Sequence, residues 1–401
     1  MKVVVALDSF KGSLRASVAC SAVKRGILDV LPEADVRAMP MADGGEGTAD
    51  AVLAATGGRW IPCDATGPLP DTRVKAGYAS LPAPVAWREW SGAAAADGPS
   101  ALVEMASASG LELLPAADRN PLRTTTFGTG ELIGAATTAG ASRIWLAIGG
   151  SATVDGGTGA ASALGWEFLD KRGEPIGLGG GTLAKLDHIA PPPAHRSKLP
   201  PLAVLCDVDN PLLGPQGAAR VFGPQKGADA GMVEALEAGL ARLADVIERD
   251  LGRDVRELRG AGAAGGFGAG AVAFFAAVLR PGVQAVMEAI DLERALQGAD
   301  WIVTGEGRFD EQSLQGKVFS GVSGLARRAG VPLAVICGSS PFAPAAAPAL
   351  GIAELELASP WGRSFDEIVD EAEALLAAAA RRFAAKCLGD RSSGKADEQE
   401  F

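Results

Sequence analysis

Histidine is nearly missing from this 401-residue chain: there are two, His188 and His195. His195 lies in the proline-rich stretch 190–201, and neither stands in a polar cluster that follows an apolar run. A Ser-His-Asp triad is therefore excluded, and any chemistry that needs a base falls to a carboxylate. The five cysteines (Cys20, Cys63, Cys206, Cys337, Cys387) are far apart, odd in number and free of CxxC or Cys/His spacing. That argues against a disulfide framework and a zinc site, and for buried thiols in a reducing compartment. Positive charge is also short, with 37 Lys and Arg against 48 Asp and Glu, a net charge of −11. A broad basic face for nucleic acid is thus not expected, and a polyanionic ligand needs a metal or a local cluster of cations. No apolar run approaches the length of a membrane span. The opening "MKVVVALDSFKG" is too short, and too soon broken by Asp8, to read as a signal peptide. A cytoplasmic protein is expected.

What the chain has in quantity is glycine, 53 residues, beside 25 prolines. Its length suffices for two domains. One pattern recurs: a short apolar run, then a Gly/Asp/Ser loop, then a helical pattern. It appears in "KVVVALDSFKGS", "IWLAIGGSATVDGGTG" (144–159), "LAVLCDVDNPL" (202–212), "WIVTGEGRFDEQ" (301–312) and "LAVICGSS" (333–340). Buried strands alternating with helices predict α/β architecture with a largely parallel sheet, whose ligands sit beyond the carboxyl ends of the strands. Helices are predicted near 14–31, ending at Pro32, over 229–251 and over 365–387, the last opened by a Ser364/Glu367 capping box. Residues 78–100 and 190–201 read as strand-and-loop or linker, and 388–401 as a disordered tail. "DGGEG" and "DGGTG" (Asp43–Gly47 and Asp155–Gly159) echo each other but are too short for a duplication.

Several clusters carry chemistry. Gly316-Lys317 is followed by Val318, and Glu311 stands where a P-loop needs its first glycine, so the Walker reading fails. "GAGAAGGFGAG" (Gly260–Gly270) contains GxGxxG, but it follows no buried strand and has no acid about 20 residues on; close backbone packing is expected there. "IGGSATVDGG" does follow an apolar strand. There Gly149, Gly150, Ser151 and Thr153 offer either a phosphate nest or a plain glycine turn. Asp43 and Glu46 in "MADGGEGTAD" either complement a helix dipole or hold Mg²⁺. "DSFKGS" supplies Ser9 and Lys11, the latter a solvated lysine or a partner for a transferring phosphoryl group. Asp207, Asp209 and Asp310 stand at strand ends as metal ligands or a base, with Glu306 among the acids beside them. Together these are the parts of Mg²⁺-dependent phosphoryl transfer.

At this point "DSFKGS", "PMADGGEGT", "NPLRTTTFGTGELI", "IGGSATVDGG", "CDVDNPLLGPQGAARVFGPQKGA", "GAGAAGGFGAG" and "GEGRFDEQSLQGK" resemble, in order over about residues 1–380, the bacterial type-1 glycerate kinases, the glycerate 2-kinases. The resemblance implies ATP-dependent phosphorylation of D-glycerate at its 2-hydroxyl. It also implies two α/β domains with the active site in the cleft between them: one flavodoxin-like and discontinuous (1–64 plus 290–387), one restriction-endonuclease-like (65–289). Leu7 and Phe319 depart from the family, which has proline near both places.

With the chemistry above, the resemblance suggests roles. Lys11, the 149–153 nest and Lys317 hold ATP phosphates. Asp43 and Glu46 hold Mg²⁺, with Glu306 in support. Arg308, or alternatively Arg123, takes the substrate carboxylate beside Ser9. Asp207 is the base, with Asp310 the alternative. The implied partners are ATP and D-glycerate, with no nucleic acid and no membrane, and the sequence is compatible with a monomer or a homo-oligomer. A kinase for the 3-hydroxyl or another hydroxy acid, a silent nucleotide-binding regulator and a dinucleotide-dependent dehydrogenase are the competing readings, the last disfavoured by its misplaced GxGxxG.

Overall fold

The apolar runs form strands buried on both faces. In the computed structural model, which describes residues 1–82, 98–193, 199–314, 317–359 and 365–389, thirteen strands follow along the chain. They are β1 (Lys2–Val5), β2 (Asp35–Ala38), β3 (Arg59–Thr66), β4 (Arg73–Leu81), β5 (Ser100–Glu104), β6 (Arg143–Ala147), β7 (Glu167–Leu169), β8 (His188–Ala190), β9 (Leu202–Leu205), β10 (Val278–Arg280), β11 (Trp301–Thr304), β12 (Leu333–Cys337) and β13 (Glu354–Leu357). Contacts divide the described chain into two compact units: Met1–Ala42, Asp50–Thr56 and Val286 onward in the first, Asp43–Ala49 and Gly57–Ala285 in the second.

The first unit holds a five-stranded, all-parallel sheet in the order β2-β1-β11-β12-β13. Counted within the unit this is 2-1-3-4-5, the flavodoxin-like order. Strand β1, flanked by β11 and β2, places Val3 opposite Trp301 on one side and Val36 on the other. Strands enclosed on both sides read as unbroken apolar runs, and Val3, Val4 and Val5 are fully buried. The helices Ala16–Val30 and Ala372–Cys387 cover one face, and Trp301 meets Phe383 edge to face with ring centres 5.3 Å apart. Leu388 is buried in this core.

The second unit is built on the sheet β10-β9-β6-β5-β4-β3, parallel from β10 to β5 and antiparallel beyond it, with β7 and β8 as a separate pair. The helix expected over 229–251 spans Ala230–Leu251; Asp229 caps it and Gly252, left-handed at φ 66°, ends it. The single helix expected over 365–387 is instead broken into Phe365–Ile368, a 3-10 turn over Val369–Glu371, and Ala372–Cys387. Ile368, Val369 and Asp370 are poor helix formers, which accounts for the break. Ser364 of the expected capping box lies outside the described residues, as do most of the 78–100 loop, His195 and residues 390–401.

Candidate active site

Polar residues collect at the carboxyl ends of the parallel strands in each unit. In the first unit they flank the point between β1 and β11 where the strand order reverses, the place where such sheets bind ligands. The Asp8 amide donates to the Gly305 carbonyl at 2.9 Å, tying the two strand-end loops together. Ser9 is half-buried and donates its amide to Asp8 Oδ1 at 2.6 Å, while Lys11 is exposed. Phe309, buried against Phe319 with ring centres 5.1 Å apart, anchors the second loop. Phe319 therefore has a packing role.

Asp310 is heavily committed. Its Oδ1 accepts from the amides of Gln312 (3.0 Å) and Ser313 (3.4 Å), and Ser313 Oγ accepts from the Asp310 amide at 3.0 Å, a reciprocal cap on the short helix Glu311–Leu314. Its Oδ2 accepts from Arg308 Nε at 3.1 Å. Among the described residues nothing accepts from Arg308 Nη1 or Nη2, and the guanidinium is exposed. Burial pushes the Glu306 carboxyl above its usual range; Asp310 adds to the rise, and the Ser313 hydroxyl and Lys11 oppose it.

In the second unit the acidic loop Asp43–Ala49 docks on the strand ends. Gly282 donates to Asp207 Oδ1 at 2.8 Å, and a Cβ at Gly282 would fall 2.1 Å from the Asp43 carbonyl oxygen. A Cβ at Gly149 would fall 2.5 Å from Gly45 Cα, and the Gly149 amide donates to the Gly44 carbonyl at 3.3 Å. Glu104, at the end of β5, accepts from the Ala49 amide at 2.7 Å. Asp43, Glu46, Gly149, Gly150 and Asp207 thus belong to one set of strand ends, with Asp43, Glu46 and Gly150 exposed.

Thr153 does not share that exposure. It is fully buried and its Oγ1 has no hydrogen-bond partner among the described residues, which takes the hydroxyl out of reach of an outside ligand. Arg123 is exposed in the turn before the threonine run, whose first member, Thr124, donates its hydroxyl to the Ala152 carbonyl at 2.8 Å. Lys317 opens the helix Lys317–Ala329, and its side chain lies outside the described ones. The Gly260–Gly270 stretch is close backbone packing, as its sequence context indicated. A Cβ at Gly265 or Gly270 would come within 2.0 Å of the Thr153 oxygen or 2.1 Å of the Gly156 oxygen.

One lysine was missed by the reading of motifs. Lys226, in the turn Pro224–Lys226, is 2% exposed and donates to Ser151 Oγ at 2.8 Å and to the Thr153 carbonyl at 2.7 Å. Nearby Asp155 is fully buried. It accepts from the Thr126 amide (2.8 Å) and hydroxyl (2.9 Å) and from the amides of Gly157 (3.0 Å) and Gly159 (3.3 Å). Burial raises its carboxyl, and these donors oppose the rise. The threonine run of "NPLRTTTFGTGELI" is thereby fastened to the glycine loop. The sequence signal for Lys226 was only its place between glycines in "GPQKGA".

Known proteins align with nearly all of this. The model of the glycerate kinase family matches residues 3–388. The chain is 47% identical to a glycerate kinase of Bacillus subtilis over 340 residues, 84% of this chain and 85% of that one. It is 43% identical to a glycerate kinase of Halalkalibacterium halodurans over 95% of this chain and 97% of that one. It is 44% identical to the glycerate 2-kinase of Escherichia coli over 84% and 85%. A crystal structure from Salmonella typhimurium LT2, described as that of a candidate glycerate kinase 2, superposes with a TM-score of 0.83 at 42% identity, covering 98% of this chain and 99% of that one. Among the described residues no helix is long and apolar enough to cross a membrane. The chain is a kinase and belongs to the glycerate kinase family.

Proposed function

We propose that the protein transfers the γ-phosphoryl group of ATP to the 2-hydroxyl of D-glycerate, giving 2-phosphoglycerate and ADP. The observation that carries the chemistry is the docking of the acidic Asp43–Ala49 loop on the strand ends that also carry Asp207 and the Gly149–Ser151 loop. The choice of the 2-hydroxyl is supported by the likeness to the Escherichia coli glycerate 2-kinase.

In this reading the glycine loop receives phosphate oxygens on its amides. Among the described residues no acceptor takes the Gly150 or Ser151 N–H, and Gly150 is exposed with φ 73°. Lys11 adds a point charge. Arg308 offers Nη1 and Nη2 to the glycerate carboxylate as a planar fork. The glycerate 2-oxygen bonds to the γ-phosphorus, the bond from that phosphorus to the ADP oxygen breaks, and the hydroxyl proton passes to Asp207. Asp310 is the alternative base; its Oδ1 accepts from the capping amides of Gln312 and Ser313 and its Oδ2 from Arg308 Nε.

Asp43 and Glu46 are two exposed carboxylates on one loop, and among the described residues no group of three ligating side chains gathers into a metal site. That donor set suits Mg²⁺ completed by water and phosphate rather than an all-protein cage. When bound there, Mg²⁺ would offset charge on the phosphate oxygens.

The test supplies ATP, Mg²⁺ and D-glycerate and passes the product to enolase. Phosphoenolpyruvate formed without added phosphoglycerate mutase is expected. Formation only when mutase is present would assign the 3-hydroxyl instead.

A further inference from the structure

Lys226 is 2% exposed and is bonded into the glycine loop. Its two hydrogen bonds go to residues on either side of Ala152: the Ser151 hydroxyl at 2.8 Å and the Thr153 carbonyl at 2.7 Å. The Ala152 amide donates to the Ser109 carbonyl at 2.9 Å and the Gly150 carbonyl accepts from the Leu111 amide at 2.8 Å, so the loop is pinned from the other side as well. What stays uncommitted, among the described residues, is the adjacent pair of amides at Gly150 and Ser151. A buried cation bonded to a loop that carries two uncommitted amides favours an anion there, because the charge is screened by little water.

We propose that Lys226 is a positioning residue for the nucleotide phosphates: it fixes the Gly149–Thr153 loop and charges it, so that the loop takes up phosphate and a proton together. The inference rests on the proposed use of this loop for ATP. Burial pulls the Lys226 ammonium down to about 7, and the carboxyl of Asp155 opposes that fall. Asp155 is the charged side chain whose field reaches Lys226 among the described residues; Ser151 and Thr153 are uncharged. In the free protein the ammonium therefore loses its proton as pH rises through about 7. Phosphate at the loop favours the charged form, so binding above that pH draws a proton in.

The test is calorimetric titration of the full-length protein with MgATP between about pH 7 and 8.5, in buffers of different ionisation heat. Proton uptake on binding is expected, approaching about one proton at the upper end, with apparent affinity falling by up to about tenfold per pH unit. Lys226→Met should abolish the uptake and raise the KM for ATP about tenfold or more, leaving the KM for D-glycerate within about twofold. Binding by the wild type with no uptake, or the same uptake in the Met variant, would overturn the proposal. If the Met variant does not fold, the wild-type proton count decides alone. ATP binding with proton uptake but no phosphorylation of D-glycerate would leave Lys226 in its role and refute the proposed reaction, so the two fail separately.

Discussion

Asp207 and Asp310 look alike in the sequence, each an acid just past a buried strand. Asp207 Oδ1 accepts from the Gly282 amide at 2.8 Å. Asp310 spends one oxygen on two capping amides and the other on Arg308. Asp207→Asn keeps an oxygen for Gly282 and removes the basic carboxylate, so kcat should fall about 10²–10⁴-fold with the melting temperature nearly unchanged. Asp310→Asn preserves a good cap and should hold kcat within about tenfold. Steady-state kinetics on both variants checks the pair, and the reverse ranking would move the base to Asp310. The strand-end acids and glycines were legible because each follows an apolar run directly in the chain. Lys226 was not, because its importance comes from burial against residues 73 and 75 positions away, and a lysine in a polar turn reads as solvated. The raised Glu306 carboxyl has the same origin: desolvation is a property of the fold and leaves no local trace.

At the level of elements, the apolar runs found their strands because parallel strands buried on both faces need no alternation to be recognised. The 365–387 pattern misled because its apolar positions continue across residues that do not sustain a helix, and a 3-10 turn intervenes at Val369–Glu371. The pairing of the helices Ala16–Val30 and Ala372–Cys387 was beyond local reading altogether. It depends on Gly26, where a Cβ would fall 2.3 Å from the Ala377 carbonyl oxygen and 2.8 Å from Ala380 Cβ. In an isolated helix Gly→Ala gains about 1 kcal/mol. Here the obstacle is backbone of the facing helix, so Gly26→Ala should lose about 1–3 kcal/mol by forcing the helices apart. Denaturant unfolding of the variant is the measurement; a gain in stability would show that the two helices yield easily.

Over the whole molecule, the chain distributes its two cores unequally. The second core runs from Ala65 to Ala277, and every strand of its sheet lies between β3 and β10. The first is assembled from both chain ends: β1 receives β11 as neighbour, and the Lys2 amide donates to Asp300 across 298 positions. Closing so long a loop must precede any gain from those contacts, which makes the first unit the slower to form. The second needs no such closure. A fragment of residues 43–285 keeps the acidic loop, all six strands of the larger sheet and its whole core. Within it, Asp50–Thr56 is the segment that belongs to the first unit. That fragment is expected to unfold cooperatively on heating, with near-ultraviolet circular dichroism from buried Trp145. Residues 1–285 should behave as the same folded unit with an unstructured N-terminal arm, because β1 there has lost β11 and the helix Ala16–Val30 has lost its partner. Hydrogen exchange on 1–285 distinguishes the outcomes: protection in β5, β6 and β9 with none in β1 supports independent cores, whereas loss of protection throughout would mean that the larger core depends on the smaller.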